Sequence, residues 1–166
     1  VCFMGRVRML ASCPDQPPGS DNRVLLVCRL LNRRRARYLI TGGVAANLHG
    51  SVRATKDIDI LIPKDSANAQ RVLDALGELP IGISRELDAE HVATRPITII
   101  GDMPSVDLLT VACTVTLEKA WPNRVVRRIG GIRVPYLSRA DLIRSKRTGR
   151  ASDLADIEVL SSRRTT

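Results

Sequence analysis

Between residues 22 and 35, Val24, Leu25, Val27, Cys28, Leu30 and Leu31 crowd one side of a helical repeat, which predicts an amphipathic helix. Residues 38–41 read as a short buried strand stopped by Gly42-Gly43. A short helix over 44–48 follows, ended by His49-Gly50. Residues 57–62, Asp-Ile-Asp-Ile-Leu-Ile, are closed by Pro63 and read as a second strand. The next helix, 64–79, shows a broad apolar face of Ala67, Val72, Leu73, Ala75, Leu76 and Leu79. Residues 85–95 are polar and read as loop or irregular helix. Strands are expected at 97–100 and 106–111, and a short helix at 116–121. RVVRRIGGIRVPYL (124–137) is a hairpin, two alternating arms around Gly130-Gly131. Ser138 then opens a helix, with Asp141 in an acidic version of the capping box, and that helix ends near Gly149. A last helix covers 152–160. The strands come too irregularly for a doubly wound sheet, so the fold class is α+β.

At 166 residues and 44% hydrophobic content, the chain has room for one domain with a core of ordinary size. The expected organisation is a disordered leader at 1–21, one domain over 22–162 and a tail at 163–166. Met4 and Met9 are alternative starts within the leader. LASC at 10–13 has the form of a lipoprotein cleavage box, but the VCFMGRVRM before it is too short and too charged for a signal peptide. No apolar run approaches the roughly 18–20 residues of a membrane helix, so no membrane partner is expected. Phe3, Tyr38, Trp121 and Tyr136 are the only aromatic residues besides histidine, too few for a nucleic-acid binder built on stacking platforms. Cys2, Cys13, Cys28 and Cys113 form no CxxC and no paired spacing with His49 and His91, so neither a zinc site nor a disulfide framework is expected.

Charge divides the chain into three parts. The net charge of +9 comprises +6 over residues 1–40, −4 over 41–123 and +7 over 124–166. Basic ends around an acidic middle suit a polyanionic partner such as tRNA or a nucleoside triphosphate, or simply a solvated arginine-rich surface.

The acidic middle carries the candidate chemistry. Asp57 and Asp59 stand two apart in a strand, so their carboxylates point to one side, with backbones about 6–7 Å apart. Ile58, Ile60 and Ile62 point to the other side. Two like charges so placed repel unless a cation lies between them, and magnesium or manganese with oxygen ligands meets that need. Asp107 in SVDLLTV would supply a third carboxylate from a neighbouring strand. Two ions about 3.5–4 Å apart would then hold the attacking and leaving oxygens of a phosphoryl displacement. Gly42-Gly43, between a strand and a helix, would let a phosphate approach the backbone.

Together, Ile40-Thr41-Gly42-Gly43, 13 further residues and Asp57-Ile58-Asp59-Ile60 resemble the minimal nucleotidyltransferase superfamily, with its polymerase-β-like fold. GGVAANLHGSVRATKDIDILI (42–62) and DLIRSKRTGRASDLADIEVL (141–160) are similar to its AbiEii-like branch, proteins of bacterial abortive-infection and toxin–antitoxin systems. The resemblance spans about residues 24–160. It implies a mixed sheet flanked by helices with a C-terminal helical segment, and metal binding by Asp57, Asp59 and Asp107. It also implies triphosphate contacts from Gly42 and Gly43, a nucleotide pocket lined by Thr41, Arg53 and Thr55, and phosphate neutralisation by Lys146 and Arg150. Thr41 stands where an apolar residue is usual, and Asp102 is an alternative to Asp107.

Plainer readings exist for each residue. Asp57 and Asp59 are otherwise solvated acids beside Lys56 and Arg53, and Lys146 and Arg150 partners for Asp153 or Asp156. His49 suits packing or a helix C-cap, and Trp121 suits the core. Arg33-Arg34-Arg35 complements a helix dipole or forms a basic lip for tRNA. The expected function is a cytoplasmic, magnesium-dependent nucleotidyltransferase acting on tRNA, another RNA or a cognate toxin or antitoxin protein. The alternatives are an aminoglycoside-like alcohol as acceptor, for which Glu86, Asp88 and Glu90 speak, or a non-catalytic interaction module.

Overall fold

The computed structural model describes residues 20–162 except Arg53. The expected leader, apart from its last two residues, and the expected tail therefore lie outside the described residues.

Helix α1 (Ser20–Arg33) buries Val27, Cys28, Leu30 and Leu31, the apolar face that the periodicity marks. It packs on β6 (Ile132–Tyr136) and on α3 (Ser66–Leu76). Strand β1 (Leu39–Ile40) leads directly into α2 (Gly42–Leu48), which begins at the first glycine rather than at residue 44. The two glycines are thus the first turn of the helix, not a separate stop before it. Strand β2 (Ile58–Leu61) follows. Helix α3 is shorter than the expected 64–79 because Asp65 caps it by accepting from the Ala67 N–H, and Gly77 caps its other end. Residues 85–95 are more regular than the sequence indicates. A 3-10 turn at Ile83–Glu86 precedes α4 (Ala89–Thr94), and Asp88 caps α4 by accepting from the His91 N–H.

Strands β3 (Ile97–Ile100) and β4 (Val106–Leu109) follow, and the expected strand over 106–111 stops two residues early. There the chain turns through Cys113, in a left-handed conformation, closed by the Ala112–Val115 bridge. After α5 (Leu117–Ala120) come β5 (Val125–Ile129) and β6, the expected hairpin. Helix α6 (Arg139–Ser145) ends before residue 149, and α7 (Ala151–Ser162) packs against it. The Ser138 hydroxyl accepts from the Asp141 N–H and donates to the Asp141 carboxylate, so the acidic cap forms as expected.

The six strands form one mixed sheet in the order β3-β4-β2-β1-β6-β5. Strand β2 runs antiparallel to β1 and parallel to β4, and β1 runs parallel to β6. Leu39, Ile40, Ile60 and Leu61 at its centre are fully buried, which fixes the register of the strands around the site. The architecture is α+β, a mixed sheet flanked by helices. Among the described residues, no helix is long and apolar enough to cross a membrane.

Candidate active site

The sheet assembles the acids. Asp59 and Asp107 are register partners in the parallel pair β2–β4, and Asp57 directly precedes β2. On the other side, the Thr41 N–H donates to the Asp59 carbonyl at 2.9 Å, which brings the start of α2 against the Asp59 side chain. Gly42 there has φ +59°, and a Cβ on it would sit 1.9 Å from Asp59 Oδ2. Only glycine meets both conditions. The Gly43 N–H donates to the Asp59 carboxylate.

Burial pushes the Asp59 carboxyl up to about 6, and neighbouring Asp107 and Asp57 add to the rise, while Lys146 and the Gly43 N–H oppose it. Asp107 is also raised, by burial first and then by Asp57. Lys146 is 5% exposed. Its Nζ lies 2.5 Å from Asp156 Oδ2 and 3.5 Å from Asp153 Oδ1, both on α7. The pairing with Asp153 and Asp156 is therefore formed, and the same ammonium still acts electrostatically on Asp59.

A cavity of about 430 Å³ opens beside Asp57. Thr55 and Lys56 line it from the segment before β2, Asn47 from α2, Arg23 from α1 and Arg127 from β5. The Thr55 hydroxyl donates to the Asp57 carbonyl at 3.1 Å. Of the three acids only Asp57 lines it; Asp59, Asp107, Thr41, Gly42, Gly43, Lys146 and Arg150 are not in this wall. Thr41 is 2% exposed, so its side chain packs rather than facing the opening. Arg150 is exposed ahead of α7, where its carbonyl accepts from the Asp153 and Leu154 N–H groups. Arg53 lies outside the described residues. Arg23 and Arg127 escaped the sequence reading because they are distant in the chain and share no motif with Asp57, and Asn47 because nothing in the spacing of 42–62 marks its position.

Among the described residues, no three Asp, Glu, His or Cys side chains converge closely enough to hold a metal ion as they stand. The donor chemistry nevertheless fits magnesium or manganese, with three carboxylates, two of them in register. Burial first, and the neighbouring carboxylates after it, raise Asp59 and Asp107, and a cation would relieve the part due to repulsion.

Residues 25–162 match the profile of a family described as nucleotidyltransferase of unknown function, DUF6036. The chain belongs to this family. The match spans nearly all of α1 through α7, so the acid cluster and both glycines lie inside the DUF6036 region. A crystal structure of an antigenic nucleotidyltransferase-like protein from Paracoccidioides brasiliensis is similar, with a TM-score of 0.50 and 19% identity over 87% of this chain and 78% of that one. At that identity the likeness shows the fold, which is nucleotidyltransferase-like. No curated protein sequence matches significantly.

Several other residues of the DUF6036 region that the sequence marks hold structure. Asp102 is buried and accepts from the Ile81, Gly82, Ile83 and Met103 N–H groups at 2.7–3.3 Å. Burial raises its carboxyl, but those four bonds outweigh the rise and hold it below its ordinary value. It is a loop clamp. His49 caps α2, lies 2.9 Å from the Leu137 carbonyl and packs edge-on to Tyr136. Burial pulls it below its ordinary value; the Leu137 carbonyl opposes this, and Arg139 and Arg127 add to it. Trp121 packs against the core. Arg33 and Arg34 pair with Glu78.

Proposed function

We propose that this protein is a divalent-metal-dependent nucleotidyltransferase that moves a nucleoside monophosphate from a nucleoside triphosphate to an acceptor hydroxyl. The in-register pair Asp59–Asp107, next to Asp57 and pressed against Gly42, carries the reading. Asp57, Asp59 and Asp107 would hold magnesium or manganese, which supplies charge neutralisation at the phosphates and a more acidic acceptor hydroxyl. Gly42 leaves room for the Asp59 carboxylate, and the Gly43 N–H, which donates to that carboxylate, would donate to a phosphate oxygen when Asp59 turns away. Asp107 would take the acceptor proton as the acceptor oxygen bonds to the α-phosphorus and the bond to pyrophosphate breaks. Lys146 would offset the negative charge around Asp59 from its anchored position.

The likeness of 42–62 and 141–160 to the AbiEii-like branch supports a role in a bacterial toxin–antitoxin or abortive-infection pair, in the cytoplasm. Arg23, Lys56 and Arg127 around the cavity favour an anionic acceptor such as tRNA or another RNA. They disfavour an aminoglycoside-like alcohol, and Glu86, Asp88 and Glu90 are not in that wall. The deciding experiment incubates the protein with each α-labelled NTP, magnesium and bacterial RNA or protein, beside Asp57→Ala/Asp59→Ala. Label in RNA or protein, absent with the variant, supports transfer and names the acceptor. A folded protein that labels nothing and binds no MgNTP in calorimetry is a non-catalytic module, and the proposal fails.

A further inference from the structure

A second concavity, about 520 Å³, lies between the end of α1 and the β5–β6 hairpin. Five arginines line it, Arg29, Arg35, Arg124, Arg128 and Arg133, and no carboxylate does. Among the described residues none of the five forms a salt bridge, whereas adjacent Arg33 and Arg34 are engaged by Glu78.

Three features show that this positive charge is held against local preference. Arg128 and Arg133 are direct cross-strand partners in the antiparallel pair β5–β6, a position where like charges destabilise a sheet. Arg35 has φ +54°. It occupies the left-handed position of a Schellman cap, with Arg35 N–H donating to the Asn32 carbonyl and Ala36 N–H to Leu31, where glycine is the relaxed residue. Arg124 Nη1 donates to the Trp121 carbonyl at 2.7 Å and the guanidinium stacks 4.2 Å from the centre of the Trp121 ring, yet its Nε is buried without a hydrogen-bond partner. Arg37 stands 4.8 Å from the same ring. An anion bridging the guanidiniums relieves the Arg128–Arg133 repulsion and gives Arg124 Nε an acceptor, and its binding offsets the backbone strain at Arg35, since arginine recognises phosphate through paired N–H donors.

We propose that this groove binds the phosphodiester backbone of a polynucleotide, as the docking surface for the acceptor of the transfer reaction. The identity of the occupant as acceptor rests on the nucleotidyl-transfer reading; the groove itself does not. Edge strand β5 links the two places. Its alternation puts Arg128 at the groove and Arg127 at the cavity beside Asp57, so a strand passing round that edge meets both. Because the Trp121 ring is flanked by arginines, recognition is of backbone charge and largely independent of sequence.

The test is fluorescence anisotropy with a labelled 20-nucleotide single-stranded RNA in EDTA, at several salt concentrations. Arg128→Ser/Arg133→Ser removes two exposed side chains and leaves the fold intact by circular dichroism. It is expected to weaken binding at least 10-fold at low salt and to reduce the slope of log affinity against log salt by about 1.4, the value for two lost phosphate contacts on a single strand. Arg35→Gly is expected to raise the melting temperature while weakening RNA binding about 3-fold, a combination that a purely structural residue would not give. DNA of the same length binding equally well is consistent with backbone recognition. Unchanged RNA affinity in the Ser/Ser variant overturns the proposal, as does a polyglutamate of equal charge that binds as tightly as RNA. Groove-dependent RNA binding without nucleotide transfer in any acceptor assay would sink the transfer reading alone.

Discussion

Asp59 and Asp107 stand side by side as register partners in the parallel strands β2 and β4, with Asp57 close enough to raise both carboxyls. In metal-free protein the burial of Asp59, with these neighbouring charges added, is a stability cost that depends on pH. The Asp59 carboxyl is raised from 3.8 to about 6. Its contribution is therefore neutral below the lower value, grows as pH rises between the two, and is fully unfavourable above the upper one. That shift corresponds to destabilisation on the order of 2–3 kcal/mol at pH 7–8. Thermal melts in EDTA should show stability lost between pH 4 and 7 in the unmodified protein and less lost in Asp59→Asn. Magnesium at pH 8 should raise the melting temperature of the former and leave the latter unmoved.

Gly42→Ala should abolish MgNTP binding and destabilise the fold by about 1–3 kcal/mol, since it combines a clash with a left-handed backbone. The clash is with Asp59 itself. In chemical denaturation, Gly42→Ala/Asp59→Ala should therefore cost less than the sum of the two single changes. Strict additivity would mean that the contact is not the cause.

Lys146 is buried between α6 and α7 with Asp156 and Asp153. Lys146→Met leaves buried carboxylate charge behind and should cost about 3–5 kcal/mol in urea unfolding, whereas Lys146→Met/Asp156→Leu should recover most of that. A Lys146→Met protein of unchanged stability that no longer binds NTP would instead make the lysine a phosphate ligand.

Asp102 and Asp107 are five residues apart and should separate cleanly by their phenotypes. Asp102→Asn weakens a clamp of four N–H groups and should cost about 2 kcal/mol, with nucleotide transfer retained below the new melting temperature. The Asp102 carboxyl is depressed, so its stabilisation is present above the ordinary carboxyl range and is lost as pH falls through its own lower value. Asp107→Asn should keep the fold and lose transfer. Thermal melts beside a labelled-NTP assay check both.

What could be read along the chain is what local periodicity and spacing encode. The apolar face of α1, the β5–β6 hairpin around Gly130-Gly131 and the two-residue spacing of Asp57 and Asp59 each arise within one element, where backbone geometry alone decides which way a side chain points. Even the α+β class follows from the irregular order of such elements. The boundaries that moved, α2 starting at Gly42 and α3 shortened by its Asp65 cap, depend on hydrogen bonds at single termini that periodicity does not weigh.

The tertiary structure alone decided what distant segments do to one another. It set Asp107 in register with Asp59, pressed Gly42 against that same carboxylate and gave Lys146 to Asp156. It also gathered Arg29 and Arg35 with Arg124, Arg128 and Arg133 across about a hundred residues of chain. The physical reason is common to all of these. Charge interactions depend on distance and burial in space, and both come from how buried apolar faces bring elements together, which no stretch of sequence contains by itself.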